Sequence, residues 1–289
     1  MKSHRQNLVI IALFLGLYVL GCKKKEKDET HDHTHAQTPS APQMVWVSLG
    51  HGHDAQDRYH VDLYGELPSG YTTFTEGYYR FRVKIMRGNT LYGGSDVRFL
   101  PMMYMRTHNH TCPVEQPSGP QSDGFYYGAA FFMMPTMQDE PWKLIVYIGA
   151  DSVVFPIQVN PHPKGWVRRG VTFGNPNNPR YMYEMKLPVA AQGSQNVTFY
   201  VYYRNMSIPG TDPQAYPPAT QFSRIRVETW MPSMGHGSPG SEDALPVSNK
   251  PGVYAGKAGF NMRGDWRIYA TFIDAGGNVV GRDSFDLNF

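Results

Sequence analysis

The sequence predicts an all-β fold, and three observations carry that prediction. First, runs such as "RYHVDLYGEL", "YYRFRVKIM" and "WKLIVYIG" alternate apolar and polar side chains, the period of a strand with one buried face. Second, 29 glycines and 23 prolines punctuate the 289 residues, leaving many short strands and no amphipathic helix of ordinary length. Third, the second half of the chain repeats the chemistry of the first at a spacing of 128 residues.

The repeat runs without a gap from Arg98 to Met134, matched by Arg226 to Met262. Along it Met103 falls on Met231, His108 on His236, Tyr126 on Tyr254 and Phe132 on Phe260. A four-residue shift then sets Trp142 on Trp266. "GYYRFRVKIM" and "QNVTFYVYYRNM" match upstream with a small offset. Two similar domains are therefore expected, residues 44–160 and 161–289, with "NPHPKGW" at the junction. Six or seven strands in about 120 residues fit an immunoglobulin-like β-sandwich in each copy. The Cys-Trp-Cys hallmark of antibody domains is absent, so the expectation concerns architecture alone.

Residues 1–21 read as a signal peptide: a short basic start, then the apolar core "LVIIALFLGLYVL", too short for a comfortable membrane span. Val19-Leu20-Gly21-Cys22 resembles the lipobox of bacterial lipoproteins, which implies cleavage before Cys22 and a lipid on it. Cleavage removes Lys2 and Arg5 and no acid, so Lys+Arg falls from 27 to 25 against 24 Asp+Glu. No basic patch remains to suggest nucleic acid. Cys112 is then the only thiol, which excludes an internal disulfide. Residues 22–43, "CKKKEKDETHDHTHAQTPSAPQ", have almost nothing to bury and read as a disordered tether. The expected location is the cell envelope, lipid-anchored, with the outer membrane favoured.

The chemistry-bearing residues are soft to borderline donors. "ETWMPSMGHGSPG" brings Met231, Met234 and His236 into one loop, and "LPMMYMRTHNHTCP" offers Met103, Met105, His108 and His110 beside Cys112. Thioether and imidazole together favour copper, above all Cu(I), over hard cations. Packing at a strand end accounts for the same loop residues, and both readings stay open. Met134 and Met262 read as core residues. The tether's His31, His33 and His35 form a flexible imidazole tract for weak metal capture, joined by His51 and His53 shortly before the first strand.

"VETWMPSMGHG" followed by "PGVYAGKAGFNMRGDWRIYATFID" resembles the YtkA-like domain of bacterial exported proteins. That resemblance implies a small envelope β-sandwich associated with copper handling. It covers about 40 residues of the second copy; the first lacks the M-P-x-M-G-H order. No G-x-S-x-G, H-E-x-x-H or P-loop motif is present, and no enzyme is expected. The leading expectation is a lipid-anchored binding protein that captures copper without requiring it to fold. The alternative is an interaction module for an envelope protein or a glycan, with no metal.

Overall fold

The computed structural model describes residues 40–289. The expected signal peptide, the expected lipidation site Cys22 and His31, His33 and His35 of the expected tether lie outside the described residues. All described residues fall in one compact unit. It is built of β-strands and turns, with a 3-10 turn at Pro213–Ala215.

The first half opens with β1 (Met44–His53), β2 (Tyr59–Pro68), β3 (Phe74–Thr75), β4 (Gly77–Arg87), β5 (Thr90–Leu91) and β6 (Val97–Tyr104). It continues with β7 (Asn109–Thr111), β8 (Val114–Glu115), β9 (Phe125–Phe132), β10 (Trp142–Ile148), β11 (Asp151–Ile157) and β12 (Val159–Asn160). The second half has β13 (Val167–Val171), β14 (Arg180–Lys186), β15 (Gly193–Arg204), β16 (Phe222–Met231) and β17 (His236–Gly237). Four more strands complete it: β18 (Glu242–Pro246), β19 (Val253–Phe260), β20 (Asp265–Asp274) and β21 (Val279–Asn288).

The all-β expectation holds, with several antiparallel sheets. One sheet runs β1-β2-β4-β9-β8, with β5 on β4; another runs β11-β10-β6-β7. β12 and β3 form a short parallel pair. The second half repeats both orders, as β13-β14-β15-β19-β18 and as β21-β20-β16 with β17 on β16. The sequence repeat is therefore a repeat of topology.

The halves differ at one seam. β18 pairs with β19 and also, at Ile225 and Ala244, with β16, so all the second-half strands join in one continuous sheet. A register shift between Glu242 and Leu245 accompanies this double service. In the first half a side chain makes the corresponding kind of link. The Gln116 amide accepts from the Phe99 N–H and donates to the Phe99 carbonyl, each at 2.8 Å.

Two apolar cores hold the strands. Phe81 of β4 meets Phe99 of β6 in the first, with ring centroids 4.9 Å apart. Tyr183, Phe199, Phe272 and Trp266 build the second. Cys112 is a free, fully buried thiol, so cohesion rests on burial and hydrogen bonding. The first core also takes Met182, Tyr202, Ala215 and Tyr216 from the second half. Strand alternation explains part of this. On β14, Tyr181, Tyr183 and Met185 face the second core, while Met182 on the opposite face enters the first. Glu184 follows Met182 on that face and is only 2% exposed.

Candidate functional site

The "MPSMGHG" loop is a tight turn between paired strands. Met231 lies opposite His236 and Trp230 opposite Gly237. The backbone N–H groups of Met234 and Gly235 both donate to the Met231 carbonyl, at 3.2 and 2.9 Å. Gly235 has φ +67°, where a side chain would be strained. Asp265 anchors the turn by accepting from the Ser233 N–H at 3.1 Å. Within this turn the three candidate donors have different surroundings. Met231 is 5% exposed and belongs to the second core, whereas Met234 is 61% exposed. His236 is half-buried, its ring edge-on to Trp266 with centroids 6.2 Å apart.

The first half builds the same arrangement one cross-strand pair further from its turn. Met103 lies opposite His110 across β6 and β7. Gapless counting sets His108 on His236, but strand pairing sets His110 there. The reason is the hairpin's length: both turns have four residues, 105–108 and 232–235, but the first copy adds the pair Tyr104–Asn109 between its turn and the Met103–His110 pair. His110 is edge-on to Trp142, with centroids 5.5 Å apart. Trp142 Nε1 donates to the Met134 carbonyl at 2.9 Å, and Trp266 Nε1 to the Met262 carbonyl at 3.1 Å. Each half thus carries one Met–His–Trp corner with the same backbone anchor.

Both histidines are held in one tautomer. His110 Nδ1 lies 2.8 Å from the Thr111 carbonyl and His236 Nδ1 lies 2.8 Å from the Gly237 carbonyl. A carbonyl only accepts, so Nδ1 carries a hydrogen, and in the neutral ring Nε2 keeps its lone pair. His110 is 7% exposed, and burial pushes its pKa below the usual imidazole range, keeping it neutral at pH 7. Its Nε2 is buried without a hydrogen-bond partner. His108, His110, Met133, Met134, Arg169 and Arg204 line a cleft of about 420 Å³.

The other first-copy candidates sit elsewhere. Met103 is fully buried in the first core and Met105 packs against that core. Burial also drives the Cys112 thiol far up, so it is not a ready thiolate donor. Among the described residues, no three or more His, Cys, Asp or Glu side chains form a metal cage. A site built on His110 therefore draws on thioether sulfur as well as imidazole.

A larger cleft, about 620 Å³, lies where the two halves meet and is lined by Tyr78, Tyr79, Tyr200, Trp166, Glu184 and Lys186 among others. Tyr78 and Tyr200 stack there at 4.0 Å and 12°. Glu184 accepts from the Tyr78 N–H at 2.7 Å, while Lys186 Nζ donates to the Tyr78 carbonyl. The added Cβ of any residue at Gly77 would fall 2.6 Å from the carboxylate, so the close approach requires glycine there. Nothing in the alternation of "YMYEMK" marks Glu184 as buried, because the covering surface comes from the other half of the chain.

His162 sits beside Glu184, its Nδ1 accepting from the N–H groups of Lys164 and Trp166 at 3.1 and 3.2 Å. Burial, then Lys186, Lys164 and Arg168, pull its pKa down to about 4. Glu184, 3.7 Å away, is itself held toward its neutral form by burial and offsets little. A folded-state pKa below the usual 6.5 gives stability that is complete above pH 6.5 and lost as pH falls toward 4. Acidification over that window is expected to cost about 3 kcal/mol. His162→Asn keeps an acceptor for the two N–H groups and removes the titration. Denaturant melts at pH 7 and pH 4 check this, with the variant showing the smaller difference.

Residues 214–271 match the YtkA-like family model. The matched segment contains Met231, Met234, His236 and Trp266, the second-half corner. No curated protein matches the chain.

Proposed function

We propose that this chain, which carries a YtkA-like domain at residues 214–271, is a non-enzymatic envelope protein that captures a soft metal ion, Cu(I) fitting best. In this reading two tandem immunoglobulin-like sandwiches display the site, lipid on Cys22 holds them at the outer membrane, and the tether imidazoles collect metal. One observation carries the proposal: His110 keeps a buried, unpartnered Nε2, and the residue lines one cleft with His108, Met133 and Met134. A neutral imidazole with Nδ1–H on a backbone carbonyl is the form in which histidine ligates metals. Thioethers beside it select a soft ion. The same cleft holds Arg169 and Arg204. Their charges repel a divalent cation twice as strongly as a monovalent one, which also favours Cu(I).

The test is Cu(I) competition against a chromophoric chelator, using the chain with His31, His33 and His35 changed to Ala. Adding His110→Ala or the nearly isosteric Met134→Leu is expected to weaken binding at least about tenfold, or 1.4 kcal/mol. Unchanged affinity in both variants overturns the cleft. A second reading, binding of an envelope protein or glycan, is favoured by the tyrosine-lined cleft with its stacked Tyr78 and Tyr200.

A further inference from the structure

The β1–β2 hairpin carries a group of imidazoles outside the cleft just described. His53 lies directly opposite His60, and His51 opposite Asp62. Residues two apart on a strand, and residues directly opposite across a pair, share a face. His51, His53, His60 and Asp62 therefore project from one side of the hairpin. His53 Nε2 and His60 Nδ1 stand 3.1 Å apart. The ring of His51 is 5.8 Å from that of His60.

The outer nitrogens are each committed to a carboxylate. His53 Nδ1 lies 2.6 Å from Asp57 Oδ1, and His60 Nε2 lies 3.1 Å from Asp62 Oδ1. An ionised carboxylate only accepts, so both outer nitrogens carry hydrogen. In the neutral rings the two inner nitrogens then present lone pairs to each other at 3.1 Å. That contact is repulsive until a cation occupies the space between. Carboxylate–histidine–metal triads use this polarity, the carboxylate fixing the tautomer and making the inner nitrogen more basic.

We propose that His53 and His60 chelate a borderline divalent cation of the zinc or copper(II) class, with His51 completing a three-imidazole surface site. At a metal–nitrogen distance of about 2.0–2.1 Å, the 3.1 Å separation subtends roughly 100° at the ion, an ordinary chelate angle. Imidazole donors without thioether suit Zn(II) and Cu(II) rather than Cu(I). Among the described residues no third side chain converges with the pair, so His51 joins by rotation about its side-chain torsions. Asp57 and Asp62 stay in the outer ring, where they hold the imidazoles. His51 and His53 are exposed and His60 is half-buried, which leaves the ion open to exchange with solvent. The site shares no residue with the Cu(I) cleft, and either can fail alone.

The experiment is a calorimetric Zn(II) titration of the chain with His31, His33 and His35 changed to Ala, which removes the competing tether imidazoles. One Zn(II) per chain is expected. His53→Ala and His60→Ala are each expected to weaken it at least tenfold, while His110→Ala leaves it unchanged. Thermal melts of the two hairpin variants, both surface changes, are expected to match the parent without metal. Absence of Zn(II) binding in the parent overturns the proposal, as does parent-like affinity in both His53→Ala and His60→Ala.

Discussion

Glu184→Ala is expected to destabilise the protein by about 3 kcal/mol, because it removes one partner from a buried polar arrangement and leaves the others unpaired. The Glu184 carboxylate and the Lys186 ammonium grip the backbone of a single residue, Tyr78, on both sides, by its N–H and its carbonyl. Burial raises the Glu184 pKa, while Lys186 and the Tyr78 N–H draw it back. Without the carboxyl group, the Tyr78 N–H loses its acceptor and Lys186, against Tyr78, Tyr79 and Tyr200, loses its polar side-chain neighbour at 3.8 Å. For a chain of this size the loss corresponds to a melting point lower by on the order of 10 °C. Glu184→Gln is expected to lose less, since an amide oxygen still accepts from Tyr78. A melting point for Glu184→Ala within about 2 °C of the parent would show that the grip adds nothing net.

Trp266→Ala is expected to cost about 3–5 kcal/mol, and Trp142→Ala a similar amount, the range for truncating a large aromatic in a packed core. Both indoles are essentially unexposed, and both donate Nε1–H to a methionine carbonyl. Trp266 packs against Phe260 and His236, and Trp142 against Phe132 and His110. Substitution by Phe separates the two contributions. It keeps most of the ring and leaves the Met262 or Met134 carbonyl without its donor, at about 1 kcal/mol. Equilibrium denaturation of the four variants measures this. A loss below 1 kcal/mol for Trp266→Ala would remove the indole as the anchor of the second-half corner.

Much of the fold was legible because the repeat and the strand period are local signals. Alternation in "YHVDLYGELP" reads directly as β2, whose burial alternates residue by residue. The repeat predicts that β6 and β16 end in equivalent corners, and Met103 and Met231 do face equivalent histidines. The identity of the first histidine was not legible. His108 keeps the residue spacing, but the extra pair Tyr104–Asn109 puts His110 in the paired position, and where a hairpin turns is invisible to a gapless count. The cleft beside His110 also depends on Arg169 and Arg204, contributed from far along the chain.

The hairpin cluster shows a similar division. "SLGHGHD" displays two of its imidazoles, but His60 joins them only through the β1–β2 register. Glu184 gives no local sign at all. Its alternation partner Met182 enters the core of the other half, so the face they share has its partner surface elsewhere in sequence.

The sequence by itself determined that the chain is all-β, that its two halves follow one strand order, and that a YtkA-like segment lies in the second. Periodicity and self-similarity depend on neighbouring residues and survive without knowledge of what packs where. Only the tertiary structure decided which methionines are core, which imidazole keeps a buried free nitrogen, and which carboxylate is sealed between the halves. Those outcomes depend on register, the position of each turn and the surface supplied by distant strands. The same thioether or imidazole is a packing group or an available donor according to what the fold sets beside it.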